Sequence, residues 1–576
     1  MRGRALLAAV TTLALAGCAG VPTSGPVEQV SPGTQTRVEG GVQVRAVPPQ
    51  PDGSPDVVMA GFIDAMASQD PDYAVARQYL TPRAAQEWNP AAGVTVFDGD
   101  TRSNLPGSTT AGLQARVVGR LDAEGHYSAQ GGSQLRHNFT MQQVDGQWRI
   151  SNPPQGLLVS QYTLRNRFTP ADVWFLGANG SSVVPERVWL AANPITPTQA
   201  VQALLRGPSD WLAPAVSTAI PTGAKLTLPA VTVTDGVAEV PLDGSLAGLS
   251  DARRTQLAVQ LAWTLRHFGD ITALRILANG EPWAVPGQSA TGEVAVANLP
   301  DLSPVATSAG QQPFAVQDGL VGRLDEQGTF SALGGAFGSP SASERAAEVS
   351  ASSSSGTVAV VDRQRRRLVS ATIGRNDAEV RLSAAGISRP HMTPRGQLWA
   401  MVPGDASQAL WQAGRTGPAH RVAVQELRGT TLLGFSISPD ESSMAVVLRR
   451  GSATELGLLR LREGRLDGYR PLLLQVNQQK LSSIADVGWV GPGQLMVLAS
   501  PQPSERATAH LVSADGALIE AVGPAGDQVL AGLATQPRLE GTSAMLLTAS
   551  GELLRFETAW RWSSLPGRVQ AVDFPS

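Results

Sequence analysis

The 576-residue chain carries 45 lysines and arginines against 48 aspartates and glutamates, a net charge of −3 at pH 7, and a single cysteine. One cysteine excludes an intrachain disulfide framework and cysteine-built zinc sites, so stability must come from apolar cores, and the length leaves room for about three domains. Charges of both signs without a basic excess exclude the electrostatic footprint of a nucleic-acid binder.

The chain opens on an export pattern. Arg2 and Arg4 precede an apolar run at 5–16 that is too short to span a bilayer, and Leu15, Ala16 and Gly17 stand directly before Cys18. This is the cleavage motif of a lipoprotein signal peptidase. It predicts a signal peptide at 1–17, lipidation (palmitate) of Cys18, and a protein held by lipid on the extracytoplasmic face of the cell membrane. Two acyl chains, at roughly 0.8 kcal/mol per buried methylene, suffice for stable attachment. Residues 18–53 are rich in Pro, Gly, Ser, Thr and Gln and read as a flexible tether. Lys225 and Lys480 are the only lysines, and with abundant Ala, Gly and Pro this composition suggests a GC-rich genome such as an actinobacterium.

An N-terminal α+β domain is expected over 54–160. Ser54-Pro55, Asp70-Pro71 and Thr81-Pro82 each pair an N-cap side chain with proline at the first helical position, predicting three short helices. Met59, Phe62, Ile63 and Met66 share a face of the first. A period-two pattern follows at Leu135, His137, Phe139 and Met141, and Asp145-Gly146 is a hairpin turn. Helices followed by a curved antiparallel sheet predict an NTF2-like cone.

A central α+β domain is expected over 164–286. It starts with the strand Val173-Trp174-Phe175-Leu176, and Thr196-Pro197 starts a helix that Gly207-Pro208 stops. Strands are predicted at 226–228, 231–234 and 238–241, with Asp235-Gly236 turning the last pair. A helix over 251–268 places Leu257, Leu261, Leu265 and Phe268 on one stripe and Arg253, Arg254, Gln256 and Gln260 elsewhere. A strand at 273–277 is expected to close the sheet.

From 314 to 576 only strands are predicted. Segments at 356–361, 396–401, 442–447 and 493–498 recur every forty to fifty residues, and Pro394, Pro439 and Pro492 precede the last three. That period is the signature of β-propeller blades, although it does not give their number. Trp399, Trp411, Trp489, Trp560 and Trp562 are expected mostly to seal blade against blade.

Catalytic spacings are lacking in the sequence: there is no Gly-x-Ser-x-Gly, no phosphate loop and no His-Glu-x-x-His. His126, His137, His267, His391, His420 and His510 show no metal-binding spacing. Asp98-Gly99-Asp100 and Asp70-Pro71-Asp72 lack the further oxygen ligands of a calcium loop. No catalytic, cofactor or metal site is therefore expected. The run at 363–367 reads either as a solvated hairpin tip or, through Arg365, Arg366 and Arg367, as a contact for a partner or an acidic cell-wall polymer.

Together, three features resemble the LpqB-type lipoproteins of actinobacteria: Cys18 followed by Val21-Pro22-Thr23-Ser24-Gly25-Pro26, the middle domain, and the repeated strands. The middle domain carries the most specific match. Val173-Trp174-Phe175-Leu176, Val183-Val184-Pro185, Ala203-Leu204-Leu205-Arg206-Gly207-Pro208, Ala219-Ile220-Pro221-Thr222-Gly223, Asp235-Gly236-Val237-Ala238-Glu239-Val240 and Thr264-Leu265-Arg266-His267-Phe268 are similar to the GerMN domain of spore germination proteins. The resemblance implies a GerMN domain in the middle and a propeller at the end. It also implies an accessory role beside the extracytoplasmic domain of the sensor histidine kinase in Mtr two-component signalling, affecting cell-wall homeostasis and division. Recognition of cell-wall glycan or a lipid precursor is the alternative reading.

Overall fold

The computed structural model describes residues 46–576 except 69–70, 105–107, 192–193, 305–310, 340–344, 353, 477–478, 525 and 527. Leu15, Ala16, Gly17, Cys18, the tether as far as residue 45 and the Asp70 cap lie outside the described residues. Among the described residues no helix is long and apolar enough to cross a membrane.

Proline at the first position starts α1 (Pro55–Ala65), which buries Val58, Met59, Phe62 and Ile63. The second helix departs from expectation. Pro71–Tyr73 makes a single 3-10 turn, Asp72 and Tyr73 take left-handed conformations, and α2 (Ala74–Gln78) starts only after them. Thr81 accepts the Ala84 N–H at 3.3 Å and caps α3 (Pro82–Glu87). These helices cover a sheet ordered Gln147–Ile150, Gln134–Val144, Thr110–Leu121, Val94–Asn104, Leu157–Ser160, with Tyr127–Ala129 added to Thr110–Leu121. Asp145 and Gly146 both have positive φ, as a two-residue hairpin between Val144 and Gln147 requires. Phe62 meets Trp88 and Phe139 edge-on at 5.4 and 6.2 Å, so aromatic rings fill the interior.

Ser160 caps α4 (Gln161–Arg167), which leads into the central domain. There Thr169–Gly177 pairs with Val183–Leu190, and a full capping box between Thr196 and Gln199 starts α5 (Pro197–Leu205). The next helix, α6 (Asp251–Leu265), buries Leu257, Leu261 and Leu265. Gln260, expected on its polar side, is fully buried instead. Its amide donates to the Trp174 carbonyl at 3.0 Å and accepts the Ala219 N–H at 2.7 Å, so helix, sheet and loop are joined at no desolvation loss.

Two strand expectations are corrected. Residues 226–228 form no strand, only a bridge from Leu226 to Leu242, because this segment crosses the end of its neighbour. Ala273–Ala278 does not close the sheet. It lies inside it, parallel to Val237–Leu242 on one side and antiparallel to Val294–Ala295 and Glu281–Pro282 on the other.

Among the described residues of the last 260 or so positions, six four-stranded sheets are arranged as propeller blades. The recurring segments occupy one structural position. Thr357–Asp362, Leu398–Met401, Ser443–Arg450 and Gln494–Ser500 are the second strands of successive blades, nearly continuous in buried residues because each is covered on both faces. The ring closes through the end of the chain. Ala571–Asp573 adds as innermost strand to Phe314–Gln317, Leu320–Leu324 and Phe330–Ala332, completing the first blade. Trp489 donates to the Ser436 carbonyl of the preceding blade and Trp562 to the Val522 carbonyl, sealing blades as expected, whereas the Trp560 side chain is 55% exposed and only its backbone N–H reaches the Val522 carbonyl.

Candidate functional site

In a propeller the strands of each blade alternate in direction. The hairpins joining first to second and third to fourth strands therefore share one face, while the second-to-third hairpins and the links between blades share the other. The first face carries the two α+β domains. Trp189 donates to Asp515 at 2.9 Å, Trp211 donates to the Gly468 carbonyl, Arg395 donates to Ser181 at 2.9 Å, and Arg266 pairs with Glu540 at 3.3 Å.

Where all three domains meet, charged groups gather, with His126 and Glu186 largely buried and Asp122 about half exposed. Nδ1 of His126, from the first domain, lies 3.0 Å from Asp122, and its Nε2 lies 3.6 Å from Glu186 of the second. Arg470 of the propeller stacks on Trp211 at 4.3 Å. Burial works against the charged imidazole, but the Asp122 hydrogen bond and the Glu186, Asp122 and Glu124 carboxylates outweigh it and raise the His126 pKa.

The other face is open and leads into the central channel, a cavity of about 400 Å³. A register shift recurs near the start of five innermost strands, between Ala346 and Glu348, Ser388 and His391, Leu432 and Gly434, Ile484 and Asp486, and Leu530 and Gly532. Such bulges re-aim side chains. Here they bring Glu348, Arg389 and Asp486 to the channel mouth. Arg389, left-handed at φ 54°, reaches past Gly434 to Asp486 two blades away, NH1 to Oδ1 at 2.6 Å. A Cβ at 434 would lie 3.7 Å from this guanidinium, in ordinary contact with it. The Asp486 charge, and beyond it Glu348, raise the Arg389 pKa against burial, so it is a fixed cation.

Asp486 also accepts the Val487 and Leu533 N–H groups, and Glu348 accepts the Arg389 N–H at 2.6 Å. Deeper, burial pushes Asp573 up to about 7, opposed by a Ser350 hydrogen bond and reinforced by Asp486. Burial also lowers His391 to about 4, leaving a neutral ring against Phe435.

The basic run is divided by its hairpin. Arg365, at the left-handed tip, donates to Glu348 and lines the channel. The N–H groups of Arg366 and Arg367 go to Asp362, which pins the turn, and the Arg367 guanidinium lies 3.6 Å from the same carboxylate. The paired aspartates considered for calcium lie elsewhere and are held by arginines, Asp98 by Arg116 and Asp100 by Arg102. Among the described residues no cluster of His, Cys, Asp and Glu could hold a metal ion. Sequence reasoning missed Glu348, Arg389 and Asp486. They lie far apart in the chain, and no local motif marks a bulge.

Three family descriptions match successive parts of the chain: "Lipoprotein LpqB, N-terminal domain" at 48–165, "Sporulation and spore germination" at 172–283, and "Lipoprotein LpqB beta-propeller domain" at 318–576. A Lipoprotein LpqB of Cutibacterium acnes is 33% identical over 99% of this chain and 98% of its own, and one of Streptomyces avermitilis is 24% identical over 97% and 96%. Among solved structures, a nidogen/laminin complex is similar over 46% of this chain and 98% of that one, at 11% identity and a TM-score of 0.34.

Proposed function

Since the chain belongs to the LpqB lipoprotein family, we propose that it is a non-catalytic, lipid-anchored accessory of a sensor histidine kinase, acting from the extracytoplasmic face of the membrane in Mtr two-component signalling that affects cell-wall homeostasis and division. The carrying observation is the division of the propeller: one face is covered by the two α+β domains, and the other presents an open, charged mouth at which a partner can dock. Lipid on Cys18 would confine the three domains to the layer where the kinase's extracytoplasmic domain stands, raising their effective concentration toward it. Binding one kinase state more tightly than the other would then shift the signalling equilibrium.

The test mixes the full chain, held in nonionic detergent, with the kinase's extracytoplasmic domain. Saturable binding at or below about ten micromolar is expected, as for a contact strengthened by co-anchoring. No binding at ten times that concentration would remove the proposal.

A further inference from the structure

Hydrogen-bond capacity at the channel mouth is unequally used. Each guanidinium brings five N–H donors in a planar fork, and a carboxylate brings two oxygens. Both oxygens of Glu348 are engaged, one by Arg365 and one by the Arg389 N–H, and both oxygens of Asp486 are engaged, by Arg389, Val487 and Leu533. Arg365 and Arg389 each spend one donor in these contacts and remain about half and one third exposed. The mouth therefore offers donors to whatever enters it, although its formal charges cancel. Below it the wall is mixed: Val349, Phe435, Leu533 and Val572 give apolar surface beside the buried Asp573 and the neutral His391.

We propose that this mouth binds a carboxylate side chain from an acidic segment of the partner protein, forked between Arg365 and Arg389, while an apolar side chain beside it enters the channel. A carboxylate matches the guanidinium fork in two parallel hydrogen bonds. Its single charge suits a site flanked by Glu348 and Asp486, which would repel densely charged phosphate polymers. A bilayer surface is also disfavoured, because Arg389 is recessed within the channel.

This rests on the reading that the open face is where the partner docks, and the experiment separates the two. The probe is an end-blocked, fluorescein-labelled peptide alternating aspartate and leucine, with its asparagine counterpart as control, titrated into the full chain in nonionic detergent. The acidic peptide should bind roughly tenfold more tightly, as expected for one charge-assisted pair. Arg365→Gln, at an exposed position, should remove most of that advantage at an unchanged melting temperature, and Arg365→Lys should restore part of it. Arg449→Gln, in another blade, should change nothing.

Equal binding of the two peptides, or indifference to Arg365→Gln, overturns the proposal. So does an Arg365-dependent preference for vesicles of anionic phospholipid. The same variants assayed with the kinase domain complete the distinction. If the domain binds regardless of Arg365, the carboxylate site is refuted and the partner reading stands. If the peptide binds and the domain does not, the partner reading fails alone.

Discussion

At the scale of single residues, the channel concentrates groups that burial has made costly or has fixed in one charge state. Asp573 is the clearest. Its folded pKa of about 7 lies above the ordinary aspartate value, so the folded state binds a proton that the unfolded chain releases. The associated stability is complete below the unfolded value near 4 and is lost as pH rises to 7. Asp573→Asn keeps the shape and removes the titration. Its melting temperature relative to the parent should therefore climb between about pH 4 and pH 8, and a difference independent of pH would show that Asp573 ionises freely. Asp486, Glu348, Arg389 and the neutral His391 face the same channel, so the measured shift belongs to this set and not to one strand.

At the scale of elements, the second strands were legible and the first strands were not. Thr357–Asp362 and its equivalents announce themselves because burial on both faces demands continuous apolar sequence, in the last three after a proline-containing turn. The innermost strands pack closely, contain bulges and carry polar residues toward the channel, which erases the alternation that marks a strand. Glycine is required where two of them touch: a Cβ at Gly488 would lie 2.3 Å from the Thr535 hydroxyl of the next blade. Gly488→Val should destabilise the fold by about 1–3 kcal/mol through overpacking between blades, read by denaturant titration, and a loss well under that would mean the inner strands can separate without cost. The second helix of the first domain also departs from its sequence signal. The Asp-Pro pair is followed by two left-handed residues, Asp72 and Tyr73, which delay the helix to Ala74.

At the scale of the whole molecule, polar contacts, some buried and some exposed, join the three domains on one propeller face. His126 lies at their centre with a raised pKa, facing Asp122 and Glu124 on its own loop, Glu186, Arg187 and Asp172 of the central domain, and Asp515, Asp440 and Arg470 of the propeller. Because its folded value exceeds the unfolded one, its contribution is complete below about pH 6.5 and is lost as pH rises through the folded value. His126→Gln should therefore lower the melting temperature more at about pH 6 than at pH 9. An equal effect at both would place the junction's strength in packing alone.

The sequence by itself determined the class of each domain, because capping residues, hairpin dipeptides and hydrophobic period are local requirements of backbone and burial. It determined the propeller's repeat for the same reason, and not the number of blades, since closure depends on a strand at the end of the chain pairing with one more than two hundred residues earlier. Only the tertiary structure assembled the channel mouth. Glu348, Arg389 and Asp486 come from three blades, each is unremarkable in its own segment, and their chemistry exists only once recurring bulges let one guanidinium cross to a distant carboxylate.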